Sequence, residues 1–298
     1  MSFRAHILGA AAGGGLPQWN CGCRNCTLAR AGEIPSQTQS SLAVSADGHS
    51  WAILNASPDI RHQLSCTPAL YPTGLRDCPL RAVLVTNGDI DHVAGLLTLR
   101  EMQEFTLFAT SGIHDVLAQN PVFDALNANV VTRRAIDLDR PFELLPGVTA
   151  TLFPVPGKVP LYMEGETVQT DVIGDQTVGV ELTSGDTRAL YIPGCAMLTD
   201  DLRARLRGAD LLFFDGTLWR DDEMITEGLG RKTGQRMGHM SMSGPDGSLT
   251  AFDGLDIARK IFVHMNNTNP VLRPASKERA SAEAAGWTIG QDGMEITP

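Results

Sequence analysis

Three of the six cysteines crowd into six residues, Cys21-Gly22-Cys23-Arg24-Asn25-Cys26. Sulfurs one and two residues apart can converge on one tetrahedral ion, and Gly22 eases the turn between them. In a reducing compartment such a cluster reads as a structural zinc site before it reads as disulfides; the competing reading is three buried, inert thiols. The run Val83-Leu84-Val85-Thr86-Asn87-Gly88-Asp89-Ile90-Asp91-His92-Val93 ends an apolar stretch on two carboxylates and an imidazole. That puts three metal-ligand types at a strand's C-terminal end, where α/β sites gather, although Asp91 could equally cap a helix beginning near Val93. Ile261-Phe262-Val263-His264 and Phe213-Phe214-Asp215 close in the same way. Three apolar strands that each finish on a ligand-type residue point to a shared site. His239, in Met237-Gly238-His239-Met240-Ser241, is a candidate acid/base or substrate contact, against the alternative of an exposed loop histidine. His6, His49, His62 and His114 have no comparable context.

These residues need elements to hold them. Short apolar runs bounded by Gly, Pro, Asp or Asn predict strands over Arg4–Leu8, Ser41–Ser45, Trp51–Asn55, Ala82–Thr86, Thr106–Ala109, Thr149–Phe153, Val178–Leu182, Ala189–Ile192, Leu211–Asp215 and Ile261–His264. Helical patterns cover Val93–Phe105, Thr199–Leu206 and Ser276–Ala285. Strands in both hairpin and crossover arrangements suggest two sheets with outer helices. The Gly9-Ala10-Ala11-Ala12-Gly13-Gly14-Gly15 run follows a strand but opens no helix, so it reads as a tight turn rather than a dinucleotide loop. Thr217–Gly247 is the longest stretch without a strong element, and is read either as a lid or as a variable surface insertion. No internal repeat or low-complexity tract is evident.

Composition narrows the class. The 298 residues include 43% hydrophobic and 19% charged, a globular balance. The formal charge of −10 argues against a phosphate-tracking, nucleic-acid-binding surface. The apolar start breaks into glycines after Ala12, which argues against a signal peptide, and no apolar run approaches the ~18 residues of a membrane span. The expectation is a cytoplasmic protein with no membrane partner.

Taken together, these motifs resemble the metallo-β-lactamase superfamily. Its His-x-His-x-Asp-His motif corresponds to Asn87-Gly88-Asp89-Ile90-Asp91-His92, and its last active-site histidine to His264. Within the superfamily, the chain looks like the branch that serves biosynthesis of the quinone cofactor PQQ. Trp19-Asn20-Cys21 with the cysteines after it, Asn55–Arg61, Thr86–Gly95, Phe214–Trp219, Gly238–Ser241 and His264–Pro270 carry that likeness over nearly the whole chain. The resemblance implies an α/β fold, a four-layer αββα sandwich of two mixed β-sheets with outer helices, as one domain over residues 1–298.

The departures from the superfamily pattern carry the functional reading. Asn87 and Asp89 stand in place of the first two histidines. No histidine lies between His114 and His239, and Phe153–Gly157 occupies the place of the third. Tyr191-Ile192-Pro193-Gly194-Cys195 stands where the family has Gly-Asp, which leaves Asp215 as the choice for the bridging acid. Asn267 takes the place of the fourth ligand to the cysteine cluster. The resemblance thus implies one good metal position, formed by Asp91, His92, His264 and Asp215. Two histidines with carboxylates suit Fe2+ and oxygen activation, and catalytic Zn2+ fits the same donors. The implied reaction is iron- and O2-dependent hydroxylation of the tyrosine-derived ring of a Glu–Tyr precursor of PQQ. Asp89 would be a further ligand or base, His239 would orient the phenol or move its proton, and Arg61 or Arg236 would pair with substrate carboxylates. Two alternatives stand beside this reading. One is a non-enzymatic carrier of PQQ or its precursor, working with other proteins of that pathway; the other is a metal-dependent hydrolase.

Overall fold

The computed structural model describes residues 3–165 and 169–298. Fourteen strands form two seven-stranded sheets among the described residues. The first holds β1 (Arg4–Gly9), β2 (Ser41–Ser45), β3 (Trp51–Leu54), β4 (Leu80–Leu84), β5 (Phe105–Ala109) and β6 (Val131–Ala135). The second holds β7 (Pro141–Leu145), β8 (Val148–Pro154), β9 (Val178–Ser184), β10 (Thr187–Ile192), β11 (Ala209–Asp215), β12 (Ile257–Val263) and β13 (Trp287–Ile289). The short β14 (Glu295–Ile296) returns to the open side of β1.

Although the sequence shows no repeat, the two sheets share one pattern. From β14 through β1, β2 and β3 the pairs are antiparallel, and from β3 through β4, β5 and β6 they are parallel. From β7 to β10 the pairs are antiparallel, and from β10 to β13 they are parallel. Parallel strands covered on both faces need unbroken apolar runs. Phe213, Phe214, Ile261 and Phe262 on β11 and β12, and Val83 and Leu84 on β4, are all fully buried.

The four strands that the apolar runs did not predict, β6, β7, β13 and β14, are the four sheet edges. Edge strands bury one side at most and tolerate charge and proline. Thr132, Arg133, Arg134 and Ala135 of β6 are exposed, and β7 begins at Pro141.

The helix expected over Val93–Phe105 is a single α turn, Ile90–Val93, followed by a 3-10 segment, Ala94–Arg100. Met102 adopts φ 61°, which closes the segment, and Phe105 already begins β5. Gly95 lets this turn press onto the chain after β3: a Cβ there would lie 2.1 Å from the Ser57 carbonyl oxygen. The helices Asp200–Leu206 and Lys277–Ala284 form as expected, with Thr199 and Ser276 accepting hydrogen bonds from the Leu202 and Arg279 N–H groups as N-caps. Among the described residues, no helix is long and apolar enough to cross a membrane.

Candidate metal centre

The ends of β4, β11 and β12 meet at one edge of the sandwich, and the residues that follow them converge. Asp91 and His92 come from the turn after β4, Asp215 ends β11, and His264 follows β12. Ligand atoms of Asp91, His92 and His264 all lie within 4.8 Å of one another, as do those of Asp215, His239 and His264. His239 arrives from the Thr217–Gly247 stretch. This stretch is no loose insertion: Thr217, Leu218, Glu223 and Met242 are buried. The glycine turn closes the site from the N-terminal side, where a Cβ at Gly13 would sit 3.5 Å from the Asp91 carboxyl.

The hydrogen bonds assign the tautomers. His92 Nδ1 lies 2.7 Å from Asn87 Oδ1, a carbonyl oxygen that also accepts the Asp89 N–H at 2.9 Å. His92 therefore donates from Nδ1, and its Nε2 carries a bare lone pair. That Nε2 is buried with no hydrogen-bond partner among the described residues, 3.8 Å from Asp91 Oδ2. The Thr217 hydroxyl donates to Asp215 Oδ1 at 2.6 Å and accepts from His264 Nδ1 at 2.8 Å. This leaves His264 Nε2 as a second lone pair, facing the same Asp91 Oδ2 at 3.1 Å. Three acceptors on one point are satisfied by a proton or a cation between them. The donor set, two neutral imidazoles and a carboxylate, fits a divalent metal ion.

The electrostatics agree. Burial pushes the His92 imidazole down to about 4, so it is neutral and ready to ligate. Burial would raise Asp91, but His92 and His264 hold its carboxyl well below the usual range. Burial would lower His264, but Asp91 and Asp215 raise it. Asp89 is raised by burial and by the Asp91 charge.

Asp215, expected as a ligand, stands with His239 and His264 in a group whose ligand atoms lie within 4.8 Å of one another, and its oxygens also accept four hydrogen bonds. Oδ1 accepts the Thr217 N–H at 3.0 Å and the Thr217 hydroxyl, and Oδ2 accepts the Cys195 N–H at 3.0 Å and His239 Nδ1 at 2.6 Å. In this arrangement the carboxylate orients His239 and Thr217. His239, which stacks on His264 with ring centroids 5.2 Å apart, thereby keeps Nε2 free. Asn87, Thr217 and the Cys195 N–H belong to the site but carry no ligand signature, so residue type alone did not single them out as its supports. The sequence signal they offer is nearness to a ligand-type residue for two of them: Asn87 stands five residues before His92 and Thr217 two residues after Asp215.

A second cluster lies close by. The sulfurs of Cys21, Cys23 and Cys26 come within 4.8 Å of one another. Asn267 Nδ2 lies 3.2, 3.5 and 3.3 Å from them. The amide thus stands at the fourth corner, and a half-turn of its plane brings Oδ1 to the same point. Burial would raise the Cys21 thiol, but the Cys23 N–H and neighbouring donors pull it down. Burial pushes Cys23 up to about 11.

The two arginines separate. Arg236 bonds Glu164 at 3.1 Å, close to His239 in the chain. Arg61 is exposed and lines a groove with Leu75, Arg76 and Met102 that none of the cluster residues borders.

Comparison with known proteins agrees with this geometry. A model of the beta-lactamase superfamily domain matches residues 50–265. A protein of Ruegeria pomeroyi named coenzyme PQQ synthesis protein B is 61% identical over 97% of this chain and 98% of its own. One from Rhizobium meliloti with the same name is 57% identical over 99% and 97%. The 1.98 Å crystal structure of Zn2+-bound PqqB from Methylobacterium extorquens superimposes with a TM-score of 0.97 at 54% identity, covering 98% of this chain and 99% of that one. A diphosphatase of the PhnP family shares the fold, with a TM-score of 0.68 at 21% identity over 99% of this chain and 97% of its own. With its two mixed sheets, its strand-end cluster and this identity over nearly its full length, the chain belongs to the coenzyme PQQ synthesis protein B family of the beta-lactamase superfamily.

Proposed function

We propose that this protein serves PQQ biosynthesis as an iron- and O2-dependent hydroxylase of the tyrosine-derived ring in a cross-linked Glu–Tyr precursor. The observation that carries the reading is the pair of bare Nε2 atoms of His92 and His264 converging on Asp91. Two imidazoles and one carboxylate, with the remaining positions left to substrate and oxygen, form the donor set of non-haem iron oxygenases. Iron held by Asp91, His92 and His264 would supply oxygen activation; the net reaction would put one oxygen atom of O2 into a ring C–H bond and reduce the other to water with two electrons and two protons from an external two-electron donor. The Cys21, Cys23 and Cys26 cluster, closed by Asn267, suits structural zinc.

The chain's own residues do the rest. Asp215 holds Nδ1 of His239, so His239 can accept the phenol proton at Nε2 and raise the electron density of the ring. Asp89, raised by burial and by the neighbouring Asp91, suits a proton acceptor with affinity closer to neutral pH than an ordinary carboxylate. The Gly9–Gly15 turn packs on the Asp91 carboxyl at Gly13, and the Thr217–Gly247 stretch stacks His239 on His264.

The test is oxygen uptake by the iron-loaded protein with the synthetic precursor. Uptake that requires both iron and precursor, and is lost in Asp91→Ala, supports the reading. Precursor that binds without uptake moves the assignment to a carrier, and release of product from a generic phosphodiester moves it to a hydrolase.

A further inference from the structure

Beside the His–Asp cluster lies a knot of charge that the proposed chemistry does not use. The Glu164 carboxylate, 9% exposed, is surrounded by three cations: Lys158 Nζ at 3.1 Å, Arg236 Nη2 at 3.1 Å and Lys232 Nζ at 3.6 Å. They hold its carboxyl down at about 2: burial opposes this, and Arg236 and Lys158 override it. Among the described residues, Glu164 is the one carboxylate within salt-bridge distance of these three cations, with Asp89 adding its field at Lys158, in a chain whose formal charge is −10. Arg236 has donors to spare. Its Nη1 is buried and has no hydrogen-bond partner among the described residues.

The knot borders the metal centre. The Lys158 stem packs on Gly238, where a Cβ would lie 3.3 Å from Lys158 Cγ, and the next residue is His239. The Asp89 carboxyl feels both Lys158 and His239. Tyr162, between Lys158 and Glu164 in the chain, donates its hydroxyl to the Gly88 carbonyl at 2.7 Å and leaves its ring 43% exposed. A cationic group and a partly exposed tyrosine therefore lie beside the Gly88–Asp89 turn that leads into the cluster.

We propose that Lys158, Lys232 and Arg236, gathered by Glu164, form a carboxylate-binding subsite that anchors an amino-acid substrate while its ring reaches Asp91, His92 and His264. The proposal rests on the hydroxylase reading for the identity of that substrate. Glu164 itself demonstrates that the cations accept a carboxylate. Because it neutralises only one of them, a substrate carboxylate can join it without displacing it. A guanidinium with an unused N–H edge suits such recognition better than a lysine would, because its donors are rigidly spaced to meet both carboxylate oxygens. The alternative is that the knot merely ties the Lys158–Glu164 segment to the helix Gly234–Met237.

The test measures binding, separately from turnover. Full-length protein loaded with zinc, which does not activate oxygen, is titrated calorimetrically with the synthetic cross-linked Glu–Tyr amino acid and with its carboxamide counterpart. Wild type is expected to bind the acid at least ten times more tightly than the amide. Arg236→Gln and Lys232→Gln should each weaken the acid about tenfold, leave the amide unchanged and reduce the salt dependence of binding. Each variant keeps two cations on Glu164, and Arg236→Lys, which keeps the charge, serves as the folding control with partial recovery. Equal binding of acid and amide by wild type, or equal weakening of both by the variants, overturns the subsite and leaves the hydroxylase reading standing. If neither compound binds wild type, the substrate assignment itself fails, and the subsite with it.

Discussion

His264 and Asn267 stand three residues apart after β12, yet they serve different clusters. His264 Nε2 lies 3.1 Å from Asp91 Oδ2, and Asn267 Nδ2 lies 3.2 to 3.5 Å from the sulfurs of Cys21, Cys26 and Cys23. The chain just beyond Asn267 is pinned further by Asn25 Nδ2 donating to the Asn269 carbonyl at 2.8 Å and by Asn269 Nδ2 donating to the Gly216 carbonyl at 2.8 Å. His264 sits at φ 57°, a conformation that a non-glycine residue keeps only when its surroundings enforce it. The cysteine cluster holds the same short segment three residues further on, so a change at the cysteines is expected to reach His264.

This coupling is testable. Cys23→Ser should speed amide exchange across residues 264–269 and lower the affinity of the Asp91–His92–His264 site for metal, although no cysteine touches that site. Hydrogen-exchange mass spectrometry would show the first effect and chelator competition the second. Unchanged exchange in that segment would count against the coupling.

Metal content separates the two clusters. Asp91→Ala combined with His264→Ala should bind one equivalent of metal fewer than wild type and retain the ion held by the cysteines. Elemental analysis of both proteins after loading with iron and zinc provides the comparison, and loss of both ions would indicate a folding defect instead.

Thr217 reaches His264 Nδ1, Asp215 and the His264 carbonyl through one hydroxyl. Thr217→Val preserves the shape and removes the hydroxyl, so His264 loses its fixed tautomer. Such supporting bonds are worth about 10–100-fold in metal affinity. Thr217→Ser should restore most of that, and a competitive titration against a chelator reads both variants.

Glu223 gives stability a pH dependence. Burial pushes its carboxyl up to about 7, against hydrogen bonds from Thr268 and the Trp219 N–H that favour the charged form. From its ordinary value of 4.5 up to about 7 the folded chain holds a proton that the unfolded chain has released. Stability therefore falls as pH rises through that window, by about 3 kcal/mol in total. Glu223→Gln should remove this contribution, so denaturant unfolding at pH 5 and pH 8 should differ less in the variant than in wild type.

Gly95→Ala should cost about 3 kcal/mol, because the added Cβ would lie 2.1 Å from the Ser57 carbonyl oxygen, a backbone atom that cannot step aside. Urea unfolding measures this, and a loss under about 1 kcal/mol would show that the turn after β4 shifts freely.

Much of this was legible in the chain itself. Asp91, His92 and His264 declared themselves because each closes a buried apolar run, and a central strand flanked by others must be apolar on both faces. The cysteine spacing announced its own cluster, since thiolates so close in sequence need no fold to bring them together. The four edge strands stayed hidden because half-exposed strands such as Val131–Ala135 carry no continuous apolar signal. The shared topology of the two sheets was equally silent, because backbone pairing repeats without residue identity repeating. Tertiary structure alone decided which side chains stand behind the ligands: Thr217 on His264, Asn87 on His92, and Asp215 turned toward His239 with its oxygens already occupied. It also separated Arg61 from Arg236, and brought Lys232 and Arg236 to Glu164 across more than sixty residues of chain. The physical reason is common to these cases. A ligand is recognised by what its own atoms can do, whereas a supporting group is defined by a distance and a direction to another atom, and only the folded chain sets those.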